Sequence, residues 1–200
     1  MGNRVRLKVK QLVNVVQKVI FSPFLLFSII QFSVRKILFG FDNACNYLRC
    51  IDSRCIKSIL YLYKAKIGKN CDIQSGIVFH NCKNFKNFKL GKNVHIGKDC
   101  FFDLRGEINI GNNVVISMRS IFITHIDMTH SKLSHIYPAN SSPILVQNDS
   151  YLGVNSTILM GVVIGKGAII GANSLVNKCV HNSEFVAGIP AKKISTNGNI

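Results

Sequence analysis

The stretch VQNDSYLGVNSTILMGVVIGKGAIIGANSLV, residues 146–176, carries an aliphatic side chain at every sixth position. A six-residue period fits neither an amphipathic helix, which repeats every ~3.6 residues, nor a strand with alternating faces. The same register extends back to Ile67, with interruptions, and its fourteen positions are all Ile, Leu, Val or Phe. They are Ile67, Ile73, Leu90, Ile96, Phe102, Ile110, Ile116, Phe122, Val146, Leu152, Ile158, Ile164, Ile170 and Val176. A fixed short period indicates a solenoid, in which each coil stacks on the next.

Two further positions of the hexapeptide are restricted. Glycine follows seven of the fourteen register residues, and the fourth position after the register residue is mostly small or β-branched, as in Cys71, Val94, Ser156 and Ala168. We expect short strands joined by turns, with three hexapeptides to a triangular coil and the glycine providing a tight or positive-φ turn. The sequence therefore predicts an all-β solenoid, a parallel β-helix of hexapeptide repeats.

The repeat is interrupted at three places. These are an irregular stretch at 79–89, two extra residues between Phe102 and Ile110, and an excursion over residues 123–145 that holds three of the six histidines. Insertions into solenoids emerge as loops on one face, often the binding face. We therefore divide the chain into an α-helical extension at 1–66, a β-helix domain at 67–194 with an extruded loop at 123–145, and a tail at 195–200.

The N-terminal extension is strongly basic. Of the net charge of +16, residues 1–66 carry +10, from 12 Lys and Arg against Asp42 and Asp52. Apolar residues between Leu12 and Ile20 follow helical spacing beside lysines, which is typical of helices on anionic membrane surfaces; packing on the domain and oligomer contacts are the alternatives. The charge-free stretch Val19–Val34 is shorter than the roughly 20 residues of a spanning helix. Residues 1–40 are thus a candidate for membrane-surface contact.

Cysteine content and charge also restrict the compartment and the partners. Seven cysteines, an odd number, lack the dense spacing of a disulfide-stapled secreted domain, so we expect reduced thiols and a cytoplasmic protein, at the inner face of the membrane if the extension binds there. The intervals of five between Cys45, Cys50 and Cys55 do not match a zinc ribbon, and no metal is expected. No nucleic-acid-binding motif accompanies the charge and Trp is absent, so nucleic acid is not an expected partner.

Residues 144–194 resemble a known family. The elements VIG, IIGANS, VNK and AGIPAKKI in this stretch are similar to the closing coils of the galactoside, maltose and capsule-polysaccharide O-acetyltransferases, a branch of the left-handed β-helix hexapeptide-repeat acyltransferases. The resemblance implies a left-handed coil, acetyl-CoA as donor and a carbohydrate acceptor, in the synthesis of a cell-surface polysaccharide such as capsule, O-antigen or exopolysaccharide. It also implies a homotrimer, with each active site between two subunits.

The resemblance places the catalytic base at His125. In this family the catalytic histidine opens the excursion just after an apolar hexapeptide, and the matching residues here are Thr124-His125-Ile126-Asp127. One imidazole can remove the acceptor proton and later return it to the leaving thiolate. Asp127 and His130 are candidates for substrate contact, with a solvated loop position as the alternative for each. The polar partner that the family provides upstream of the histidine has no clear match, because the two-residue slip before Ile110 disturbs the register.

Residues that would bind the donor follow from the same match. Tyr151 occupies the aromatic position before Leu-Gly, and Gly153, Ala172 and Asn177 fall where the family contacts the pantetheine arm. Lys178, Lys192 and Lys193 are placed for the phosphates, and for any one of them a solvated surface charge is the alternative.

Other functions remain open at this level. A serine O-acetyltransferase or an amino-sugar N-acetyltransferase uses the same repeat, although neither the larger helical domain of the first nor the nucleotide-sugar domain of the second is visible. The spacing of His125 and His130 also resembles the metal-binding histidines of γ-type carbonic anhydrases, with His95 or His80 as a third ligand. A scaffold that has lost its chemistry is the remaining alternative.

Overall fold

The computed structural model describes residues 22–196, which form three α-helices followed by nineteen short strands, with a short 3-10 helix, Lys132–His135, between β10 and β11. Helix α1 covers residues 22–39, α2 covers Phe41–Tyr47 and α3 covers Ser53–Leu62. The strands are β1 Lys66–Ile67, β2 Asp72–Ile73, β3 Val78–His80, β4 Phe88–Leu90, β5 His95–Ile96, β6 Phe101–Asp103, β7 Ile108–Ile110, β8 Val115–Ile116, β9 Ile121–Phe122, β10 His125–Ile126, β11 Asn140–Ser141, β12 Ile144–Val146, β13 Tyr151–Leu152, β14 Thr157–Ile158, β15 Val163–Ile164, β16 Ile169–Ile170, β17 Leu175–Val176, β18 Glu184–Gly188 and β19 Ala191–Thr196. The last strand thus continues two residues past the predicted end of the repeat domain.

The strands form three long sheets that the chain visits in turn. Sheet one is β1-β4-β7-β12-β15, sheet two is β19-β18-β16-β13-β8-β5-β2, and sheet three is β17-β14-β9-β6-β3. Pairing between successive coils is parallel and in register, as in Ile96↔Ile116 and Phe102↔Phe122. The antiparallel strand β19 closes the end of sheet two on β18. Three parallel faces visited in rotation make a triangular prism, so the predicted parallel β-helix is confirmed.

The interior of the prism is built from the predicted register residues. All fourteen are buried, and so are the small or β-branched residues at the fourth position, among them Cys100, Ser156 and Ala168. Each register side chain stacks on its equivalent one coil away, as the rings of Phe102 and Phe122 do at 5.0 Å between centroids. The core is therefore a set of continuous apolar columns rather than a cluster around one point.

The turns differ from the expectation in one respect. None of the seven glycines that follow a register residue has a positive φ; positive φ falls two residues later, mostly on Asn or Asp, as in Asn93 at 57° and Asn155 at 58°. Asparagine and aspartate tolerate this left-handed region better than other non-glycine residues. The glycines are needed for close stacking instead, since a Cβ at Gly97 would lie 2.5 Å from the backbone nitrogen of Met118.

The helices cover the first coil of the prism. Phe32 of α1 is fully buried, with its ring 4.9 Å from that of Tyr63 and 6.3 Å from that of Phe85. Asp52 caps α3 by accepting a hydrogen bond from the backbone of Arg54. The helical pattern expected between Leu12 and Ile20 lies outside the described residues.

Helix α1 is longer than the charge-free stretch suggested. It continues through Arg35 and Lys36 to Phe39, and over residues 22–39 its length and apolar composition suffice to cross a membrane. The prediction that this segment is too short to span a membrane was therefore wrong with respect to the length of the helix. Composition alone does not separate a spanning helix from a helix that packs on its domain, and α1 does pack through Phe32.

All three interruptions of the repeat lie at one corner of the prism. The segments 81–87, 104–107 and 123–143 each connect a strand of sheet three to the next strand of sheet one. We call this edge the insertion corner; in later coils it continues through 159–162 and 177–179. The turns at the other two corners contain four residues each. The turn 104–107 also contains four, and the two extra residues of this repeat lengthen β6 and β7, which have three residues each. One edge of an otherwise regular solenoid has thus been elaborated.

Candidate active site

His125 stands at the insertion corner, where the extruded loop leaves the third coil. It begins β10, which pairs antiparallel with β11 and sets His125 opposite Ser141. The two strands form the base of the loop, so the histidine is held by backbone pairing on one side and by the prism on the other. Its side chain is 19% exposed, which leaves the ring accessible from one direction.

The polar partner of His125 is Asp103. The Nδ1 atom of His125 lies 2.6 Å from Oδ2 of Asp103, whose side chain is 1% exposed at the end of β6, one coil below. The same carboxylate accepts hydrogen bonds from the backbone nitrogen and hydroxyl of Thr124, at 2.9 and 2.7 Å, and from Nδ2 of Asn81 at 3.1 Å. Asp103 is therefore a buried carboxylate with donors on both oxygens.

These contacts favour the ionised form of Asp103. Burial alone would raise the pKa of Asp103, but the hydrogen bonds from His125, Thr124 and Asn81 outweigh it and hold that pKa below the ordinary value. An ionised carboxylate can only accept, so Nδ1 of His125 carries the proton and donates it to Asp103. In the neutral imidazole with this tautomer, the other ring nitrogen, Nε2, has a free lone pair. A histidine oriented in this way can act as a general base.

Asp103 is the functional residue that sequence reasoning missed. The segment from Phe102 to Ile110 is two residues longer than the regular spacing of six, and it contains Asp103 and the turn 104–107. The irregularity in the repeat therefore lies directly beside the buried carboxylate. The available signal was a charged residue next to register residue Phe102 in the run FFD, followed by the irregularity itself.

Beside the histidine, an ion pair connects the second coil to the loop. Nη1 of Arg105 lies 2.6 Å from Oδ2 of Asp127, and the other oxygen of Asp127 accepts hydrogen bonds from the backbone nitrogen and hydroxyl of Thr129. The hydrogen bonds from Thr129 and then Arg105 hold the pKa of Asp127 well below its ordinary value. Asp127 is thus engaged within the loop, whereas His130 is exposed on it.

A cavity of about 250 Å³ adjoins this ion pair. It is lined by Arg105, Ala139, Asn140 and Ser141, and the last two belong to the strand that pairs with β10. Its lining offers a guanidinium, an amide and a hydroxyl, and the Arg105 charge is balanced by Asp127. Neutral polar groups of this kind suit a hydroxylated ligand.

The residues predicted to bind the donor lie on two different edges of the prism. Gly153 and Ala172 stack on each other at the corner between sheets two and three, where a Cβ on Gly153 would lie 2.6 Å from the nitrogen of Ala172. Asn177 and Lys178 are exposed at the insertion corner, above His125. Within one chain the structure therefore does not bring these pairs together.

The remaining donor candidates belong to sheet two. Tyr151 is 43% exposed on β13, and its hydroxyl accepts a hydrogen bond from Ser117 at 3.1 Å. Lys192 and Lys193 lie on β19, where Lys193 pairs with Glu184 at 3.2 Å. Within residues 22–196, no group of three or more His, Cys, Asp or Glu side chains is placed to hold a metal ion.

Known proteins resemble this chain both in sequence and in fold. Residues 143–178 match the model of the hexapeptide repeat of succinyl-transferase. A protein of Escherichia coli strain K12 assigned as a colanic acid biosynthesis acetyltransferase is 32% identical over 134 residues, which cover 66% of this chain and 70% of the relative.

Two solved structures share the fold. A hexapeptide-repeat acetyltransferase from Vibrio cholerae in complex with acetyl-coenzyme A superposes with a TM-score of 0.66 at 22% identity, covering 87% of this chain and 87% of that chain. Galactoside acetyltransferase in complex with coenzyme A superposes with a TM-score of 0.66 at 20% identity, covering 86% of this chain and 82% of that chain.

Proposed function

Because the chain belongs to the hexapeptide-repeat acetyltransferases, whose left-handed β-helix it shares, we propose that it transfers an acetyl group from acetyl-CoA to a sugar hydroxyl. His125 is the general base, and the acetyl group passes directly from donor to acceptor. The observation that carries this proposal is the 2.6 Å contact between His125 and the buried Asp103 at the corner that holds every insertion.

The reaction follows from the orientation of the imidazole. Nε2 of His125 takes the proton of the acceptor hydroxyl as the oxygen attacks the thioester carbonyl, and the imidazolium that forms is stabilised by the Asp103 carboxylate. The carbon–sulfur bond then breaks, and the imidazolium returns the proton to the departing CoA thiolate. A new ester bond replaces the thioester bond, with no net gain or loss of protons.

The acceptor side of the site supports a sugar. The cavity beside His125 presents Arg105, Asn140 and Ser141, which are donors and acceptors suited to hydroxyl groups. The E. coli relative is assigned to colanic acid biosynthesis, and on that basis we assign the acceptor to a cell-surface polysaccharide or its precursor. Because Asp127 is paired with Arg105, a substrate would contact the solvent-exposed side of the Asp127 carboxylate.

The donor residues support a homotrimer. Gly153 and Ala172 lie on one edge of the prism and Lys178 on another, so a single acetyl-CoA could contact both sets only in a groove between two copies. In such a trimer, one subunit contributes His125 and Lys178 and its neighbour contributes the edge with Gly153. We place the enzyme in the cytoplasm, which the seven unpaired cysteines support.

The chemical class of the product tests the acceptor assignment. Incubation with acetyl-CoA and a set of saccharides that includes an amino sugar should yield acetyl groups that mild alkali removes, as expected of esters. Mass spectrometry before and after alkali treatment makes the measurement. Acetyl groups stable to alkali, found only on the amino sugar, would replace the proposal with an amino-sugar N-acetyltransferase.

The lysines assigned to the donor phosphates give a second prediction. The double variant Lys178→Ala/Lys192→Ala should raise the Kd for CoA by about tenfold, because two charge-assisted contacts with phosphate are lost. Its Kd for pantetheine, which lacks the nucleotide, should not change. Titration calorimetry with both ligands makes the measurement.

The control for this pair is Lys69→Ala/Lys92→Ala, which removes two exposed lysines between sheets one and two. It should bind CoA like the wild type. Equal loss of affinity in both double variants would show a general effect of charge and would remove Lys178 and Lys192 from the phosphate site.

A further inference from the structure

Helix α1 carries an apolar face that the other described residues, 40–196, leave uncovered. Its exposed large apolar side chains are between 44% and 79% accessible: Leu26, Phe27, Ile30, Val34, Ile37, Leu38 and Phe39. Most of them follow each other at intervals of three or four residues, which places them along one side of the helix. An apolar stripe of this size requires a partner.

The opposite side of α1 is fixed to the protein. Ser28 is 1% exposed and Phe32 is fully buried, with its ring 5.7 Å from that of Phe41 and 4.9 Å from that of Tyr63. Arg35 and Lys36 lie over the rings of Tyr47 and Tyr63, at 5.3 and 5.0 Å. A helix held this way at its middle cannot be surrounded by lipid, so it can lie in a membrane surface but cannot cross it.

The net charge of the N-terminal sequence indicates which kind of partner the apolar face would bind. Residues 1–41 contain seven Lys and Arg and no Asp or Glu. A cationic stretch of sequence that leads into an apolar helix complements a surface that is both anionic and apolar, which describes a bilayer containing acidic lipids. A second copy of this chain has the same excess of positive charge in this part of its sequence and so offers no complementary charge.

We propose that α1 docks in the surface of an anionic lipid bilayer, with its apolar face in the acyl region. Phe32 contacts Phe85, which belongs to the first segment of the insertion corner, and His125 lies two coils above. Two coils correspond to about 10 Å of strand spacing. Docking therefore brings the active-site corner close to the lipid surface, and, if the proposed function holds, it favours acceptors carried on a membrane lipid.

Vesicle binding of the full-length protein tests the docking without donor or acceptor, so its result does not depend on the acetyltransferase proposal. We expect co-sedimentation with vesicles of phosphatidylglycerol and phosphatidylethanolamine that weakens with salt, and little with phosphatidylcholine. The variant Phe27→Gln/Ile30→Gln/Ile37→Gln should lose at least about tenfold in affinity while its melting temperature is maintained. The matched control Met118→Gln/Ile189→Gln/Ile194→Gln removes side chains that are 49%, 75% and 60% exposed away from α1 and from the insertion corner, and it should bind normally.

Three outcomes would overturn the proposal. One is the absence of wild-type binding to the anionic vesicles. Another is equal binding to both lipid compositions without salt dependence, since it would remove the charge argument that selected an anionic surface. The third is a triple variant that binds vesicles normally but changes its oligomeric state in light scattering, which would identify the face as a contact between copies.

Discussion

Replacing His125 with alanine should lower kcat/KM for acetyl transfer by about 10²–10⁴-fold, the usual contribution of a general base. The variant removes the nitrogen that takes the acceptor proton, while the edges assigned to the donor stay unchanged. The Kd for CoA should therefore remain within about twofold of the wild-type value. Steady-state thiol release and calorimetric CoA binding, on the same preparation, make the measurement.

The molecule contains its own control for this substitution. Nδ1 of His95 lies 3.0 Å from Oδ2 of Asp72, but these side chains are 43% and 57% exposed on sheet two. His95→Ala removes the same residue type from a similar pair away from the insertion corner and should retain full activity. A His125→Ala enzyme as active as His95→Ala would remove His125 from the mechanism.

Replacing Asp103 with asparagine should reduce kcat by a factor in the same range, about 10²–10⁴. Asparagine keeps the size and one acceptor atom, but it removes the charge that stabilises the imidazolium, and its amide can donate to Nδ1. The ring then adopts the other tautomer, with the proton on Nε2, and loses its capacity as a base. The carboxylate partner of a catalytic histidine in serine proteases shows an effect of this kind.

The control and a second readout separate orientation from folding. Asp72→Asn makes the same change in the exposed pair and should leave kcat unaltered. Because the folded-state pKa of Asp103 is lowered, its ionisation stabilises the protein above the unfolded pKa of about 4, and this contribution is lost as pH falls through the folded value. Asp103→Asn should therefore flatten the acid limb of the melting temperature against pH. A flattened limb with unchanged kcat would limit Asp103 to a structural role.

The core of this fold could be predicted because every coil of a solenoid repeats the same six-residue pattern. Every register residue from Ile67 to Val176 is buried where the six-residue period places it. The turns were harder to predict, since either of two positions in the hexapeptide could adopt the positive φ. Glycine was expected to provide the positive φ that Asn93 and its equivalents provide, while the glycines allow neighbouring coils to approach.

The site was predictable only in part, for a physical reason. His125 stands at the start of a visible insertion, whereas Asp103 follows an apolar run and is buried against Thr124 and His125 of the loop one coil above. The division of Gly153 and Lys178 between two edges follows from counting three hexapeptides per coil. Matching single motifs to the closing coils of the family does not show on which edge of the prism each residue lies.

Acceptor-dependent thiol release from acetyl-CoA, compared between the wild type and His125→Ala, bears most directly on the acetyltransferase assignment and its base. We predict saturable release by the wild type, one ester formed per thiol, and near-background release by a variant that still binds CoA. Wild-type protein that neither binds CoA nor releases thiol with any saccharide would contradict the proposed activity, and release that persists without His125 would contradict the mechanism.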